Sequence, residues 1–152
     1  MTLNDINISK NIIMNDVGQI LKTHKELECI YQGLEEVYKI FMEDSDYTNS
    51  RAQSASYMID NFKMTMIRVA YAALELRLLY CPTDVIIDPF YSIILKFPDE
   101  RINIAFDMNG NTAIYLVVGA SLMDATVKTY TVNSYDELKT KLSMCRADME
   151  LR

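Results

Sequence analysis

Asp107, Asn109 and Asn111 stand on alternate positions around Gly110 in FDMNGNTAIYLVV, residues 106–118. Oxygen ligands at that spacing are the raw material of a calcium loop. A calcium loop of the helix–loop–helix kind also needs an acid about six positions after its glycine, where this chain has Tyr115 and Leu116. Asn109-Gly110 is instead the pair that a two-residue type I′ turn uses, because both of its central residues take positive φ. The stretch is predicted to be a hairpin.

Other chemistry is thinly supplied. His24 is the one histidine, and it falls in an apolar helical stripe. A general base needs a nucleophile or acid within reach, and Cys29, five positions on, lies about 140° around a helix at about 100° per residue. The chain has no GxSxG elbow, no GxxxxGK[ST] phosphate loop and no GxGxxG fingerprint. Cys29, Cys81 and Cys145 are odd in number and far apart, without a CxxC pair, so they read as reduced thiols rather than a disulfide frame or zinc site. No catalytic residue, metal ligand or cofactor is assigned, and an enzyme is the last of the functional expectations.

Two groups of charged residues remain. Glu35, Glu36, Glu43 and Asp44 form an acidic run that suits a more basic protein partner. Arg68 sits inside the greasy segment MTMIRVAYAALELRLLY. A charge there must be paired, bind an anion, or stand at an interface rim. With Tyr71 and Arg101, and with Asn103 and Tyr115 from the sheet, it defines a candidate pocket for an anionic small molecule.

The elements that must position these residues follow from periodicity. With 152 residues, half of them hydrophobic and 24% charged, the chain is expected to form a single domain over 1–152 with its own core. Val17, Ile20, His24, Leu27, Tyr31, Leu34, Tyr38 and Phe41 alternate spacings of three and four, predicting one helix that Asn15 or Asp16 caps. EDSDYTNS, residues 43–50, breaks it. A second helix is expected from Asn49 or Ser50 to about Tyr80, giving a long helical hairpin over 15–80 behind a partly ordered segment at 1–14. These helices offer more apolar face than a four-stranded sheet needs, which predicts a homodimer.

Residues 84–132 change to β character: FYSIILKF, RINIAFDM, TAIYLVVGA and TVKTYTV, joined by short turns, predict a four-stranded antiparallel meander. DVIID at 84–88 is left open as a fifth strand. Placing Asn109-Gly110 at the turn puts Ile102, Ile104, Phe106 and Met108 on one face with Ala113, Tyr115 and Val117. A C-terminal helix over 134–147 begins with a Ser134–Glu137 capping box. The fold class is therefore α+β.

A net charge of −6 with scattered Lys and Arg opposes nucleic-acid binding. The N-terminus carries no signal pattern and no apolar run approaches the roughly 20 residues of a membrane helix, which predicts a cytoplasmic protein without a membrane partner. Together these features predict a non-enzymatic interaction protein of bacterial or phage type, an inhibitor, immunity protein or adaptor. A homodimeric sequestering protein for an anionic ligand is the alternative, and a secretion-type chaperone the third, on analogy alone.

Overall fold

The computed structural model describes residues 14–43, 52–119, 123 and 125–150, without the side chains of 52–57 and 150. The expected segment 1–14 apart from Met14, the residues Asp44 to Ser50 of the helix connection, and the expected caps Asn49 and Ser50 lie outside them. The fold is α+β, with helices before and after a five-stranded antiparallel sheet. Helix α1 covers 14–21, α2 Glu28–Glu43, α3 Ala52–Leu76 and α4 Tyr135–Glu150. Strands β1 Asp84–Ile87, β2 Ile93–Lys96, β3 Ile102–Phe106, β4 Thr112–Val118 and β5 Thr126–Val132 pair in sequence order.

The first predicted helix is two. The chain leaves α1 after Leu21, passes through an extended His24 (φ −119°, ψ 104°), and re-enters through a 3₁₀ turn at Lys25–Leu27. Leu21 and Leu27 are six positions apart, which on one straight helix would set them on different sides. The break lets both reach zero exposure. Asn15 and Asp16 consequently lie inside α1 rather than capping it.

The remaining stripes are spent within the chain. Ile30, Leu34, Val37, Tyr38 and Phe41 of α2 are buried, as are Ile59, Phe62, Met66, Val69, Ala73 and Leu76 of α3. Phe41 and Phe62 stack with ring centroids 4.1 Å apart, joining the two helices. Helix α2 lies against β1, α3 over β2 and β3, and α4 over β4 and β5. The helical stripes that predicted a homodimer thus face the sheet.

Residues 84–88 do join the sheet, through β1. The β3–β4 hairpin is present, but its loop holds three residues, Met108 to Gly110, since Phe106 pairs with Thr112. Gly110 alone takes positive φ, at 92°. Asp107 receives the backbone N–H of Asn109 and of Asn111 on Oδ1, both at 2.9 Å, which closes the turn without a type I′ pair. Moving the turn by one residue reverses the predicted faces of β4 alone: Ile102, Ile104 and Phe106 are on the buried face as expected, but with Ile114, Leu116 and Val118. The β1–β2 turn repeats the device, with Asp88 Oδ1 accepting from Phe90 and Ser92 N–H at 2.9 Å.

The cap of α4 is as expected at Ser134, whose Oγ accepts the Glu137 N–H at 3.1 Å, while Glu137 reaches back to the Asn133 N–H. The helix runs three residues beyond its predicted end, and Arg146 lies 4.1 Å over the Tyr80 ring while donating to the Leu79 carbonyl.

Gly33 sets how closely α2 approaches β1. A Cβ there would lie 2.4 Å from Cγ2 of Val85, a buried and β-branched side chain with little room to turn. Gly33→Ala should lower stability by about 1–3 kcal/mol through overpacking, despite the roughly 1 kcal/mol that Ala gains over Gly in a helix. Chemical denaturation of the single and double variants checks this: Val85→Ala should recover part of the loss, and additive losses would contradict the contact.

Candidate functional site

Cross-strand register places every buried strand residue on one face, against the helices. Among the described residues, no helix lies on the opposite face. Its central row runs Ile86–Ile94–Ala105–Ala113–Thr131 across all five strands. Beside it runs Asp84–Lys96–Asn103–Tyr115–Thr129, and beyond that row lies the pair Val117–Val127. Ile86, Tyr115 and Val127 are 44%, 37% and 59% exposed, and Ile94, Ala105, Ala113 and Val117 are half-buried. An antiparallel sheet with one solvated face ordinarily alternates apolar inward and polar outward. Here the outward set is itself apolar from Ile86 to Ala113 along one row, with a polar row beside it.

Asn103 and Tyr115, predicted for a ligand pocket, face each other on this open surface. The Asn103 amide donates to the Glu100 carbonyl at 3.2 Å, and its Oδ1, shut off from solvent, has no hydrogen-bond partner among the described residues. The other predicted pocket residues lie elsewhere. Arg101 is at the far end of β3, closed on Asp99 at 2.7 Å, a contact that holds the Asp99 carboxyl below its ordinary range. Tyr71 is exposed on α3 and borders a shallow surface between α3 and α1, near Asp16, Ile20 and His24. Arg68 is on the helix side. Five residues of strand at about 3.3 Å each separate the Arg68 and Arg101 ends of β3.

Arg68 works as a clamp. Its Nη1 donates to the Asp107 carbonyl at 2.9 Å, and its Nη2 to the Asn111 carbonyl at 2.9 Å and to Thr112 Oγ1 at 2.8 Å. Thr65, on the preceding turn of α3, also donates to the Asp107 carbonyl, at 3.4 Å. One guanidinium therefore binds α3 to the tip of the β3–β4 hairpin, above the Phe106 ring. Burial lowers its pKa, partly countered by Asp107. The clamp borders a cleft of about 430 Å³ whose walls include Phe106, Thr131, Ser134, Tyr135 and Leu138. The α4 end of that cleft carries Asp136 and Glu137 in its first turn, which oppose an anion at the helix N-terminus.

Other charges in the candidate sets are paired or solvated. Glu75 binds Lys139 at 2.7 Å and ties α3 to α4. Glu26 lies 3.7 Å from both His24 Nδ1 and Arg77 Nε, so the single histidine belongs to a surface cluster at the helix break. Glu35, Glu36 and Glu43 are exposed on α2, and Asp44 lies outside the described residues. Among the described residues, no group of three or more His, Cys, Asp or Glu side chains is arranged to hold a metal ion, and no helix is long and apolar enough to cross a membrane.

The chain matches no protein-family model, no curated protein and no solved structure.

Sequence reasoning did not assemble Ile86, Ile94, Ala105 and Ala113 into one row. The alternation needed to find them was present, but the two-residue turn assigned Ala113 to the covered face, and whether 84–88 joins the sheet was left open.

Two outcomes test the clamp. Arg68→Ala should cost about 1–3 kcal/mol of stability, since it removes three charge-assisted hydrogen bonds between α3 and the hairpin tip, and denaturant midpoints measure it; a change within experimental error would show the contacts to be idle. The Asp107 carboxyl is held below its ordinary value: burial pushes it up, but the Asn111 N–H and amide, the Asn109 N–H and Arg68 together outweigh that. A depressed folded pKa gives stability that is present above the unfolded value of about 3.9 and is lost as pH falls through the folded value. Asp107→Asn should therefore flatten the acid limb of stability below about pH 4, measured as urea midpoint against pH.

Proposed function

We propose that this chain is a non-enzymatic binding protein that docks a more basic protein partner on the helix-free face of its sheet. The observation that carries this reading is the uncovered row Ile86–Ile94–Ala105–Ala113 with polar residues beside it. Five strands about 4.8 Å apart, each a few residues of about 3.3 Å, present about 400 Å² in projection. That is the scale of a contact core within the roughly 800 Å² per partner of a stable interface.

Charge supports the choice of partner. The net charge is −6, and α2 contributes four glutamates against one lysine. Such a field speeds the encounter with a basic protein, while the apolar face sets how long it stays. The anionic-ligand alternative has less support, because Arg68, Arg101 and the Asn103–Tyr115 pair stand at three separate places and Arg68 already serves three acceptors.

One observation favours a second copy as the partner. The row is bulky on β1 and β2 and small on β3 and β4. A two-fold axis parallel to the strands, between β2 and β3, sets Ile86 against Ala113 and Ile94 against Ala105 of the other copy. Large side chains then meet small ones, as aligned sheet packing requires.

Ile94→Asp tests both versions. It should weaken the complex at least about 100-fold, since an unpaired buried charge costs about 3–5 kcal/mol, and leave the thermal midpoint nearly unchanged because Ile94 faces away from the core. Glu35→Gln with Glu36→Gln should slow association and reduce its salt dependence only. Native mass spectra of protein from its own cells read the partner: a second polypeptide kept by the wild type and lost by Ile94→Asp fits the first version, and a homodimer lost likewise fits the second. A complex indifferent to Ile94→Asp removes the sheet face from both.

A further inference from the structure

Cys29 and Cys81 are 52 positions apart in the chain, yet the fold brings them to one atom. Cys29 opens the first turn of α2, and Cys81 lies in the segment that leads from α3 into β1. Each thiol donates to the Glu26 backbone carbonyl, at 3.8 Å in both cases. Two sulfurs on one acceptor are separated by at most twice that length. Cys29 is exposed and Cys81 half-buried, whereas Cys145 is 2% exposed under α4.

The shared acceptor has a structural origin. Glu26 belongs to the 3₁₀ turn that restarts the helix after the break at His24. A 3₁₀ turn followed by α-helix leaves first-turn carbonyls pointing along the chain toward the next turn, where Cys29 stands. The Glu26 carboxylate, meanwhile, pairs with Arg77 just past the end of α3, four residues ahead of Cys81. The helix break and the α3 terminus are thus pinned together, and the two thiols are the reactive groups at that joint.

We propose that Cys29 and Cys81 are a modification site, an oxidisable pair that closes into an intramolecular disulfide on exposure to a peroxide. The exposed Cys29 thiolate attacks one peroxide oxygen, giving a sulfenic acid and releasing the other oxygen as water. The Cys81 thiolate then attacks the Cys29 sulfur and expels its hydroxyl as a second water. Two thiol protons end in the waters, the sulfurs lose two electrons, and the peroxide takes them up. Burial raises the pKa of both thiols; at Cys29 the backbone of Ile30 and of Cys29 itself partly counters this while Asp84 and Glu28 add to it, and at Cys81 the Cys29 and Glu26 side chains add to it. A raised thiol pKa leaves less thiolate at neutral pH, which slows the first step.

The bond would tie the start of α2 to the entry of β1, the edge strand that α2 already covers through Gly33. Closing a long loop restricts the unfolded chain more than the folded one, so the oxidised form gains stability.

The test treats the full-length protein with hydrogen peroxide, then alkylates and maps it. The expected product is a monomer lighter by about 2 Da, with a Cys29–Cys81 linked peptide, Cys145 still alkylated, a raised thermal midpoint and full reversal by dithiothreitol. Cys81→Ser should instead stop at Cys29 sulfenic or sulfinic acid. Retention of all three thiols, oxidation of Cys29 to sulfinic acid in the wild type, or a bridge through Cys145 or between chains would each overturn the proposal. None of these readouts depends on the sheet-face partner.

Discussion

All three long helices lie on the same side of one sheet, and this constraint shapes the rest of the molecule. A five-stranded antiparallel sheet offers two faces, and the helices among the described residues cover one of them. Helix α2 takes β1, α3 takes β2 and β3, and α4 takes β4 and β5, so the buried strand residues fall in one set of alternating positions. The alternate set is met by no other element among the described residues. Its central row is not what water alone would select, because isoleucine and alanine occupy positions where a solvated antiparallel sheet carries polar residues.

Holding a helix layer on a sheet by apolar contact alone leaves its rotation and slide weakly defined. Polar ties at particular points correct this. Arg68 fixes α3 to the β3–β4 tip through three acceptors, Lys139 and Glu75 fix α4 to α3, and Arg146 covers Tyr80 at the other end. The aspartates at 88 and 107 shape two matching hairpin tips at the same end of the sheet. The carboxylate that resembled a metal ligand is spent on the backbone of its own turn, and the arginine that resembled an anion receptor is spent on the carbonyls of that turn.

Much of this was legible in the sequence where a signal is local. The α3 stripe, the Ser134 capping box and four of the five strands all follow from side-chain periodicity or a short capping pattern. Where two arrangements differ by a single residue, local signals fail. Asn109-Gly110 suits a two-residue turn, but the Asp107 carboxylate stabilises a three-residue one, and that slip exchanged the faces of β4 and concealed the open row. The helix break failed for a related reason: Tyr31, Leu34 and Phe41 extend the stripe of Val17, and only the burial of both Leu21 and Leu27 reveals the change of phase. Contacts between distant segments, such as Gly33 with Val85 or Cys29 with Cys81, leave no mark in spacing at all.

Carbene footprinting of the open face most directly tests whether that face is the working surface. The protein would be labelled in native extract and again after purification and dilution to low concentration. The account predicts that Ile86, Ile94, Tyr115 and Val127 are protected in extract and become labelled on dilution, while exposed Phe90 at the hairpin tip and Met144 on α4 label equally in both. Equal labelling of the sheet face in extract and in dilute buffer would contradict it.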